Sequence, residues 1–525
     1  MEELELRKKI VIMVAVMMAM FFSALNMTIV GTSLPKIVAE IGGMDYFNWV
    51  FMIYALTSSI TAAVVGKLSD IYGRKIFILC GIGVFMIGGL LSGFSQTIYE
   101  LIIYRGIQGL GGGMVMSTAF TTVGDLFSPR ERGRWQGMMG GVFGLSSLFG
   151  PTLGGYIVDN LDWSWVFWVF LPVGFLAFFM ILKLYPQTPA REKEKVDYLG
   201  ALILAIVILT LLLGFSWAGQ DYAWNSAMII GLFSTSCIAF LLFILVESKV
   251  KSPIIPLDLF KNSVVSISNL VSFFLGMGMF GTIMYVPFYV QGVLGKSATT
   301  AGLVEMVMTI SMVTCSALAG QLITKTGKYK LLGIVGIGIM ATGIFLNSTL
   351  TPGAALSSIL INLIITGAGL GMTMPIFTLT VQNAVDHRHL GVATATSQLF
   401  RMTGGTIGVS VMGYIMAARM SEKLKESVWT PIPDGQLEMD VTPQSLLNAD
   451  ALVRMRETLP GQMQPIFDQW ILSLKEALNY SLTQVFFVSA VIVMGAFVLT
   501  LFLKEIPLRT SNNSPISAKD VVKTG

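Results

Sequence analysis

Residues 66–75 read GKLSDIYGRK, a charged stretch that separates two long apolar segments. Residues 320–330 read GQLITKTGKYK, which repeats the glycines but carries Thr324 where the first copy has Asp70. A short charged turn between apolar segments is typical of a loop that joins two membrane helices. Its recurrence in the second half of the chain predicts an internal duplication.

The composition indicates an integral membrane protein. Of the 525 residues, 54% are hydrophobic and only 12% are charged, whereas a soluble chain carries about 25% charged residues. Cys80, Cys237 and Cys315 all fall within apolar segments, and the two histidines, His387 and His389, share one short stretch. Because these residues suggest neither a disulfide framework nor a metal-ligand cluster, we expect no metal and no cofactor.

Apolar segments of about 20 residues are long enough to cross a bilayer as α-helices. The first exceeds the apolar core of a signal peptide and lacks a convincing cleavage site, so we expect a retained span. All spans should be helical, because a backbone exposed to lipid must satisfy its own hydrogen bonds. We predict fourteen spans, at residues 10–31, 46–67, 76–95, 101–124, 135–158, 165–184, 198–218, 226–247, 264–290, 298–322, 331–350, 355–380, 395–417 and 483–504.

The basic residues are unevenly distributed between the two sides of this topology. If both termini share one side, that side carries most of the lysines and arginines, for example in 7–9, 67–75, 130–134 and 325–330. We call it the basic side and the opposite one the loop side, where the long connection 418–482 lies. Basic loops are typical of the cytoplasmic side. We therefore predict a multi-pass protein of the cell membrane with both termini in the cytoplasm.

An internal repeat divides the chain into two halves. The motif GLGGGMVM at 109–116 corresponds to GAGLGMTM at 367–374. The equivalent glycines are Gly66 and Gly320, Gly73 and Gly327, Gly133 and Gly391, and Gly150 and Gly408. Such a duplication predicts an all-α membrane fold of two six-helix bundles with a substrate site between them. We expect an N-terminal bundle at 1–197, an inserted helix pair at 198–262 and a C-terminal bundle at 263–525.

Four motifs resemble those of a known family. GKLSDIYGRK resembles the loop between spans 2 and 3 of the major facilitator superfamily, and IIYRGIQGLGGG at 102–113 resembles its span-4 motif. GMMGGVFGLSSLFGPTLGG at 137–155 resembles the span-5 motif of its antiporters. LNMTIVGTSLPKI at 25–37 resembles the span-1 motif of the fourteen-span drug:proton antiporters of the EmrB/QacA type. The resemblance implies a major-facilitator-type fold with fourteen transmembrane helices.

The resemblance also implies a conformational latch on the basic side. Asp70 and Arg74 are four residues apart and can pair across one helical turn, and Asp125 ends span 4 on the same side. Gly66 and Gly73 permit close helix approach and a tight turn. The alternative is an ordinary basic loop that fixes topology. The second copy turns without the acid, however, so topology alone does not explain Asp70.

Charges embedded in the spans are candidates for proton coupling. A charge inside the bilayer is costly, so it should face a cavity or a partner. The resemblance implies a role in proton transfer for Arg105, and we add Glu305 in span 10 and Arg401 in span 13. Both arginines could instead be structural, and Glu305 could be an interfacial acid near Lys296. The family's span-1 acid is replaced by Asn26, which cannot titrate.

The resemblance implies that span 5 forms a tight seam between the halves. Its small residues permit close helix contact, and the proline should bend the helix. One position that is usually glycine is Ser146. The predicted antiporter motif comprises Gly137, Gly150, Pro151, Gly154 and Gly155.

These features favour proton-coupled multidrug efflux of amphipathic or lipophilic compounds by alternating access. The chain lacks a GxxxxGK[ST] nucleotide-binding motif and a nucleophile elbow, so we do not expect an enzyme. A dedicated exporter or flippase of an endogenous lipid or metabolite and a sensor with a transporter fold remain alternatives. Expected partners are small amphipathic substrates, protons and the bilayer, with no nucleic acid, and the protein is expected to be a monomer. The candidate cavity residues are Asn26, Tyr54, Tyr285, Gln382 and Asn383.

Overall fold

Helices follow one another in the order that the sequence predicts. The computed structural model describes residues 4–42, 46–186, 197–219, 222–250, 252–426, 456–457, 461 and 463–508. The spans, numbered 1 to 14 in chain order, are Leu6–Ile41, Phe47–Tyr72, Arg74–Ser92, Ile98–Leu126, Pro129–Asn160, Trp165–Trp168 with Leu171–Leu184, Tyr198–Trp217, Ala227–Glu247, Ser263–Ile283 with Val286–Phe288 and the π-helical turn Tyr289–Val293, Ala298–Thr326, Lys330–Ser348, Leu356–Ala384, Leu390–Glu426 and Gln464–Leu501.

Most of these helices have the length and the apolar composition of a membrane span. Within the described residues, twelve are long and apolar enough to do so. Spans 4 and 13 are not among them, because both carry many glycine, serine and threonine residues and an arginine. Span 4 is buried without interruption from Ser117 to Leu126. Its polar residues are tolerated because protein surrounds this part of the helix.

Two helical bundles meet along two seams. In the first half, spans 2 and 3 pack on span 4, and span 1 packs on spans 5 and 6. In the second half, spans 10 and 11 pack on span 12, and span 9 packs on spans 13 and 14. The halves join where span 5 lies against span 10 and where span 2 lies against span 13. These are equivalent pairs of the sequence repeat, as expected for two parallel halves.

The inserted helix pair lies beside the seam of spans 2 and 13. Spans 7 and 8 pack on each other, and span 7 also contacts spans 2 and 13. A cavity of about 660 Å³ separates the pair from span 9, with walls that include Phe233, Phe240 and Phe400. None of the predicted site residues lines this cavity. The exact domain boundaries stay a prediction.

Both copies of the repeated loop turn at a glycine with positive φ. Gly73 has φ 93° and Gly327 has φ 70°. A side chain at either position would strain the backbone, because residues with a Cβ disfavour this region. The glycines therefore explain why the loop motif survives in the second copy although its acid does not.

Two helices extend into the predicted loop-side connection 418–482. Span 13 continues to Glu426 and span 14 begins at Gln464. Residues 465–478 read PIFDQWILSLKEAL and are amphipathic. They form the first part of span 14, where Leu474 and Ala477 pack in the core of the second half. Residues 427–455 of the predicted connection lie outside the described residues.

Candidate functional site

The latch residues form a buried charge cluster at the basic side. Gly73 ends span 2, and Arg74 therefore begins span 3 directly beside the end of span 4. The Arg74 guanidinium donates to the Asp125 carboxylate at 3.0 Å, to Asp70, and to the Ser69 hydroxyl at 2.5 Å. Arg74 is only 4% exposed. A buried guanidinium is stable here because two carboxylates and a hydroxyl satisfy its donors.

Asp70 carries this cluster across the seam to the other half. Its two carboxylate oxygens accept the backbone N–H groups of Gly391 and Val392, each at 3.1 Å. These residues open span 13, where N–H groups lack partners within the helix and the helix dipole favours a negative charge. A Cβ at Gly391 would lie 2.6 Å from the Asp70 carboxylate. Glycine at position 391 therefore allows the Asp70 carboxylate to approach the start of span 13. The equivalence of Gly391 and Gly133 in the sequence repeat gave no reason for a glycine here.

Tyr185, just after span 6, lies close to the latch residue Asp125. Its phenol lies 3.0 Å from the Thr122 hydroxyl. Burial raises the pKa of Tyr185, and the charge of Asp125 raises it further. The phenol therefore stays protonated and can donate a hydrogen bond beside the charge cluster.

The second copy of the loop closes the other seam without an acid. The exposed Arg130 of span 5 donates to the backbone carbonyls of Thr324 and Lys325, each at 3.1 Å. These carbonyls lie in the last turn of span 10, where a positive charge complements the helix dipole. At one seam an acid caps a helix N-terminus, and at the other a base caps a helix C-terminus. Arg130 thus connects the helices at the second seam, where Thr324 stands in place of the acid.

Span 5 and span 10 touch closely only over the basic-side half of the seam. A Cβ at Gly137 would lie 2.6 Å from the Ser316 carbonyl oxygen, and one at Gly140 would lie 2.9 Å from the Ser316 hydroxyl. Nearer the loop side, Gly155 and Gly302 have no neighbour within 4 Å of an added Cβ. The close contacts between these two helices therefore lie toward the basic side, and the glycines nearer the loop side do not take part in them.

The rest of the span-5 motif does not lie on this seam. A Cβ at Gly150 would lie 2.6 Å from the Thr28 Cβ, so this glycine packs against span 1 of its own half. The Thr28 hydroxyl also donates to the Ser146 carbonyl at 2.9 Å. Gly154 is buried and Pro151 lies within the helix. The predicted seam between halves therefore fits Gly137 but not Gly150, which instead fixes span 1 to span 5.

Gln382 lies in the closed basic-side seam rather than in a cavity. Its side-chain amide donates to the Phe120 carbonyl at 3.2 Å and to the Thr394 hydroxyl at 3.0 Å. Its oxygen accepts the Gln136 amide at 2.9 Å, and its backbone carbonyl accepts Arg132 at 3.4 Å. These contacts join spans 4, 5, 12 and 13. The predicted cavity position is wrong because the residue lies in the last turn of span 12.

Asn383 follows it and is likewise not placed in a cavity. Its amide donates to the backbone carbonyls of Ile506 and Pro507, at 3.4 Å and 3.3 Å. Span 12 ends one residue later at Ala384. Asn383 therefore holds the segment that follows span 14, and the prediction that it lines the cavity does not fit these contacts.

Arg105 is fully buried in the first half and is surrounded by neutral groups. Its guanidinium donates to the side-chain oxygens of Asn26 at 2.7 Å and Gln108 at 2.6 Å. It also lies 4.5 Å above the ring of Tyr54, whose hydroxyl is 3.3 Å from that of Ser23. One guanidinium nitrogen has no hydrogen-bond partner among the described residues. Asn26 and Tyr54, predicted to line the cavity, are thus arranged around Arg105.

Arg401 and Glu305 lie in the second half, on different helices. Arg401 is partly exposed, and its guanidinium lies 3.5 Å from the sulfur of Met374 in span 12. Glu305 is partly buried and lies four residues before Thr309, whose methyl group would lie 3.2 Å from a Cβ at Gly144. Residues four apart share one helix face. Glu305 therefore lies where the contact between spans 5 and 10 ends.

Tyr285 connects two helices of the second half. It follows the main helix of span 9, and its hydroxyl donates to the Val409 carbonyl of span 13 at 3.0 Å. The side chain is 6% exposed. Its hydroxyl is thus used within the bundle, and its ring packs near that of Phe288.

This chain matches one family over most of its length. The profile of the Major Facilitator Superfamily matches residues 16–409. The protein belongs to the major facilitator superfamily. Membership makes it a multi-pass membrane transporter rather than an enzyme.

Related sequences and structures agree with this placement. The chain is 39% identical over 521 residues to multidrug transporter protein MdtP of Bacillus subtilis. This alignment covers 96% of this chain and 94% of the relative. It is 33% identical over 503 residues to multidrug resistance protein 3 of the same organism, covering 95% and 96%.

Solved structures of other superfamily members share the fold. The proton:xylose symporter XylE superposes with a TM-score of 0.59 at 15% identity, covering 96% of this chain and 98% of the symporter. The human organic anion transporter MFSD10 gives 0.59 at 14% identity, covering 92% and 99%. At this identity the likeness shows the fold alone. The prediction of a major-facilitator-type fold is confirmed.

A buried carboxyl pair in this superfamily member escaped the sequence analysis. Asp197 caps span 7 by accepting the Gly200 N–H at 2.8 Å, and Glu247 ends span 8 and accepts the Ile254 N–H at 3.2 Å. The second oxygen of each carboxyl group is buried and has no hydrogen-bond partner in the part of the chain that the structure describes. Lys67, from the first loop motif, acts electrostatically on Glu247. In the sequence both acids resemble ordinary charges at helix ends, so no signal distinguished them.

Proposed function

We propose that the protein exports amphipathic or lipophilic small molecules in exchange for protons by alternating access. Its relatives in Bacillus subtilis are named as a multidrug transporter and a multidrug resistance protein. The contacts that hold the two halves together at the basic side support this proposal most directly. With the basic side in the cytoplasm, as basic loops favour, the protein would be open to the outside.

The latch is the proposed two-state element. Asp70 binds the first N–H groups of span 13 only while spans 2 and 13 are in contact. Opening of the basic side would separate these groups and would leave Asp70 with Arg74 alone. A rigid-body movement of one bundle against the other is a known type of switching transition. The latch would therefore stabilise the outward-open state.

Glu305 is the proposed proton carrier. It lies at the point where the tight contact between spans 5 and 10 ends, and it makes no hydrogen bond or ion pair with any described residue. An unpaired carboxylate within a span is costly, so gain of a proton would favour burial and loss would favour exposure. A proton taken up at this position would couple the seam to the proton gradient.

A second candidate function is dedicated export of an endogenous lipid or metabolite. Asn26 stands where the resembled drug antiporters usually carry an acid, and its amide oxygen accepts from Arg105 at 2.7 Å. A site for organic cations usually contains a carboxylate. This observation favours a substrate other than a cationic drug.

Flux measurements in proteoliposomes test the proposed function. Purified protein would be given ethidium or a fluorescent phospholipid, with and without an imposed pH gradient. We expect dye export that requires the gradient and that Glu305→Gln slows at least ten-fold, while Glu422→Gln, which removes an exposed loop-side acid, leaves it unchanged. Transport indifferent to the gradient would reject proton coupling, and movement of the phospholipid alone would favour the second candidate.

A further inference from the structure

Positive charge is embedded in both halves of the protein. Arg105 lies about 10 Å from the loop-side start of span 4, and Arg401 lies roughly 16 Å from the basic-side start of span 13, at 1.5 Å per residue. Both positions are within the membrane. Asp70 and Asp125, the acids of the latch, are both engaged by Arg74. They therefore do not compensate the two embedded arginines.

Neither arginine is paired with a carboxylate in the described part of the chain. Arg105 donates to the neutral side chains of Asn26 and Gln108 and keeps one nitrogen without a partner. The Arg401 guanidinium contacts the thioether of Met374. Removing an ionised group from water without pairing it costs several kcal/mol. Both halves thus contain a guanidinium group that an external anion could stabilise.

Arg401 is the one of the two that a solute can reach. Its side chain is partly exposed, whereas that of Arg105 is 0% exposed. On span 13, Gly408 faces span 9. Arg401 lies seven residues earlier, within about 20° of the same side of the helix at 3.6 residues per turn. Its guanidinium extends from there toward Met374 of span 12.

We infer that the exported compound carries an anionic group and that Arg401 binds it. This inference deepens the proposed export function and rests on it. A guanidinium group pairs with a carboxylate, sulfonate or phosphate through two parallel hydrogen bonds. The apolar part of the substrate would contact Met374 and neighbouring side chains, because methionine adapts to irregular shapes. A cationic amphiphile, such as the dye ethidium, would bind more weakly but could still be exported, because only the contact with Arg401 disfavours it.

Equilibrium binding of two probes with the same tail tests this inference. Radiolabelled octylsulfonate and octyltrimethylammonium differ in charge but share one alkyl chain. Binding would be measured to the full-length protein in nanodiscs at pH 7, with empty nanodiscs subtracted. We expect the sulfonate to bind the wild type at least ten-fold more tightly than the ammonium probe. A preference for the ammonium probe would overturn the inference.

Substitution of the arginine identifies the contact. Arg401→Gln should weaken octylsulfonate binding about ten- to hundred-fold, as expected for loss of a charged hydrogen-bonding partner. Arg401→Lys keeps the charge without the fork geometry and should lose less. Arg419→Gln, on the same helix but in an exposed pair with Glu422, is the matched control and should bind like the wild type. Unchanged sulfonate affinity in Arg401→Gln would reject Arg401 as the binding group.

The comparison of the two probes on the wild type does not depend on any variant. It therefore keeps the inference testable if Arg401→Gln does not fold.

The binding experiments separate this inference from the proposed function. They use no proton gradient, so failure of gradient-driven export with intact sulfonate preference would reject proton coupling alone. Gradient-driven export of ethidium together with equal binding of both probes would keep the export function and reject the anionic substrate class.

Discussion

Replacement of Asp70 by asparagine should open the basic side of the protein. The substitution preserves the shape of the side chain but removes the negative charge that faces the start of span 13 and the Arg74 guanidinium. Hydrogen bonds that involve a charged group contribute about 1.5–3 kcal/mol each. The amide oxygen of asparagine can still accept one backbone N–H, and Arg74 keeps Asp125. We therefore estimate a net loss of about 2 kcal/mol, or roughly 30-fold in the ratio of closed to open protein.

Distance measurements between the halves on the basic side would detect this change. Ile76 and Leu331 are 56% and 67% exposed, and each lies near the basic-side start of the third span of its half. Spin labels would be attached to Ile76→Cys and Leu331→Cys after the three native cysteines are replaced by serine. Double electron–electron resonance should give a short distance for the parent and a longer distance for most molecules of the Asp70→Asn variant.

A surface acid provides the matched control. Asp258 pairs with Lys261, and both side chains are more than four-fifths exposed, so Asp258→Asn removes the same charge without affecting either seam. It should leave the distance distribution unchanged. If Asp70→Asn also gave the parent distribution, the latch would contribute no measurable free energy to closure, and the reasoning from the helix terminus would be refuted.

Three further predictions concern the seam, the buried carboxyl pair and the loop turn. Gly320→Ala should prevent the basic-side seam from closing, because the added Cβ would lie 2.9 Å from a backbone carbonyl carbon of span 5; cysteine accessibility on the basic side should rise, and unchanged accessibility would contradict close packing. Glu247→Gln should raise the free energy of unfolding by about 1–3 kcal/mol and raise the melting temperature, because it removes a buried carboxylate with an unpaired oxygen beside Asp197; a melting temperature below that of the wild type would show that the charge is needed. Gly73→Ala should destabilise the protein by about 1–3 kcal/mol through backbone strain, because Gly73 has φ 93° and ψ 149°, a region that residues with a Cβ rarely adopt. Gly83→Ala, at a helical position with no described neighbour within 4 Å of the added Cβ, should not; equal melting temperatures would refute the strain argument.

The sequence predicted much of the fold because the bilayer imposes strong local rules. A helix must be long and apolar to cross it, so fourteen spans could be placed, and helix ends were wrong mainly where amphipathic segments such as 465–478 continue a span beyond the membrane. The charge spacing of Asp70, Arg74 and Asp125 also follows from helix geometry and is found as a cluster. Gln382 and Asn383 were misplaced because a polar residue in a span gives no sign of whether it faces a cavity or another helix.

What the chain determined by itself was the number of spans, the duplication and the charges placed in the membrane, since each depends on residue type and local spacing. Only the tertiary structure decided which helix of the other half each charge binds. Asp70 binds backbone N–H groups at the start of span 13, and Arg130 binds backbone carbonyls at the end of span 10. Their partners are main-chain groups of another helix, which every sequence contains and no motif marks. Such contacts exist only once two distant helices have packed against each other.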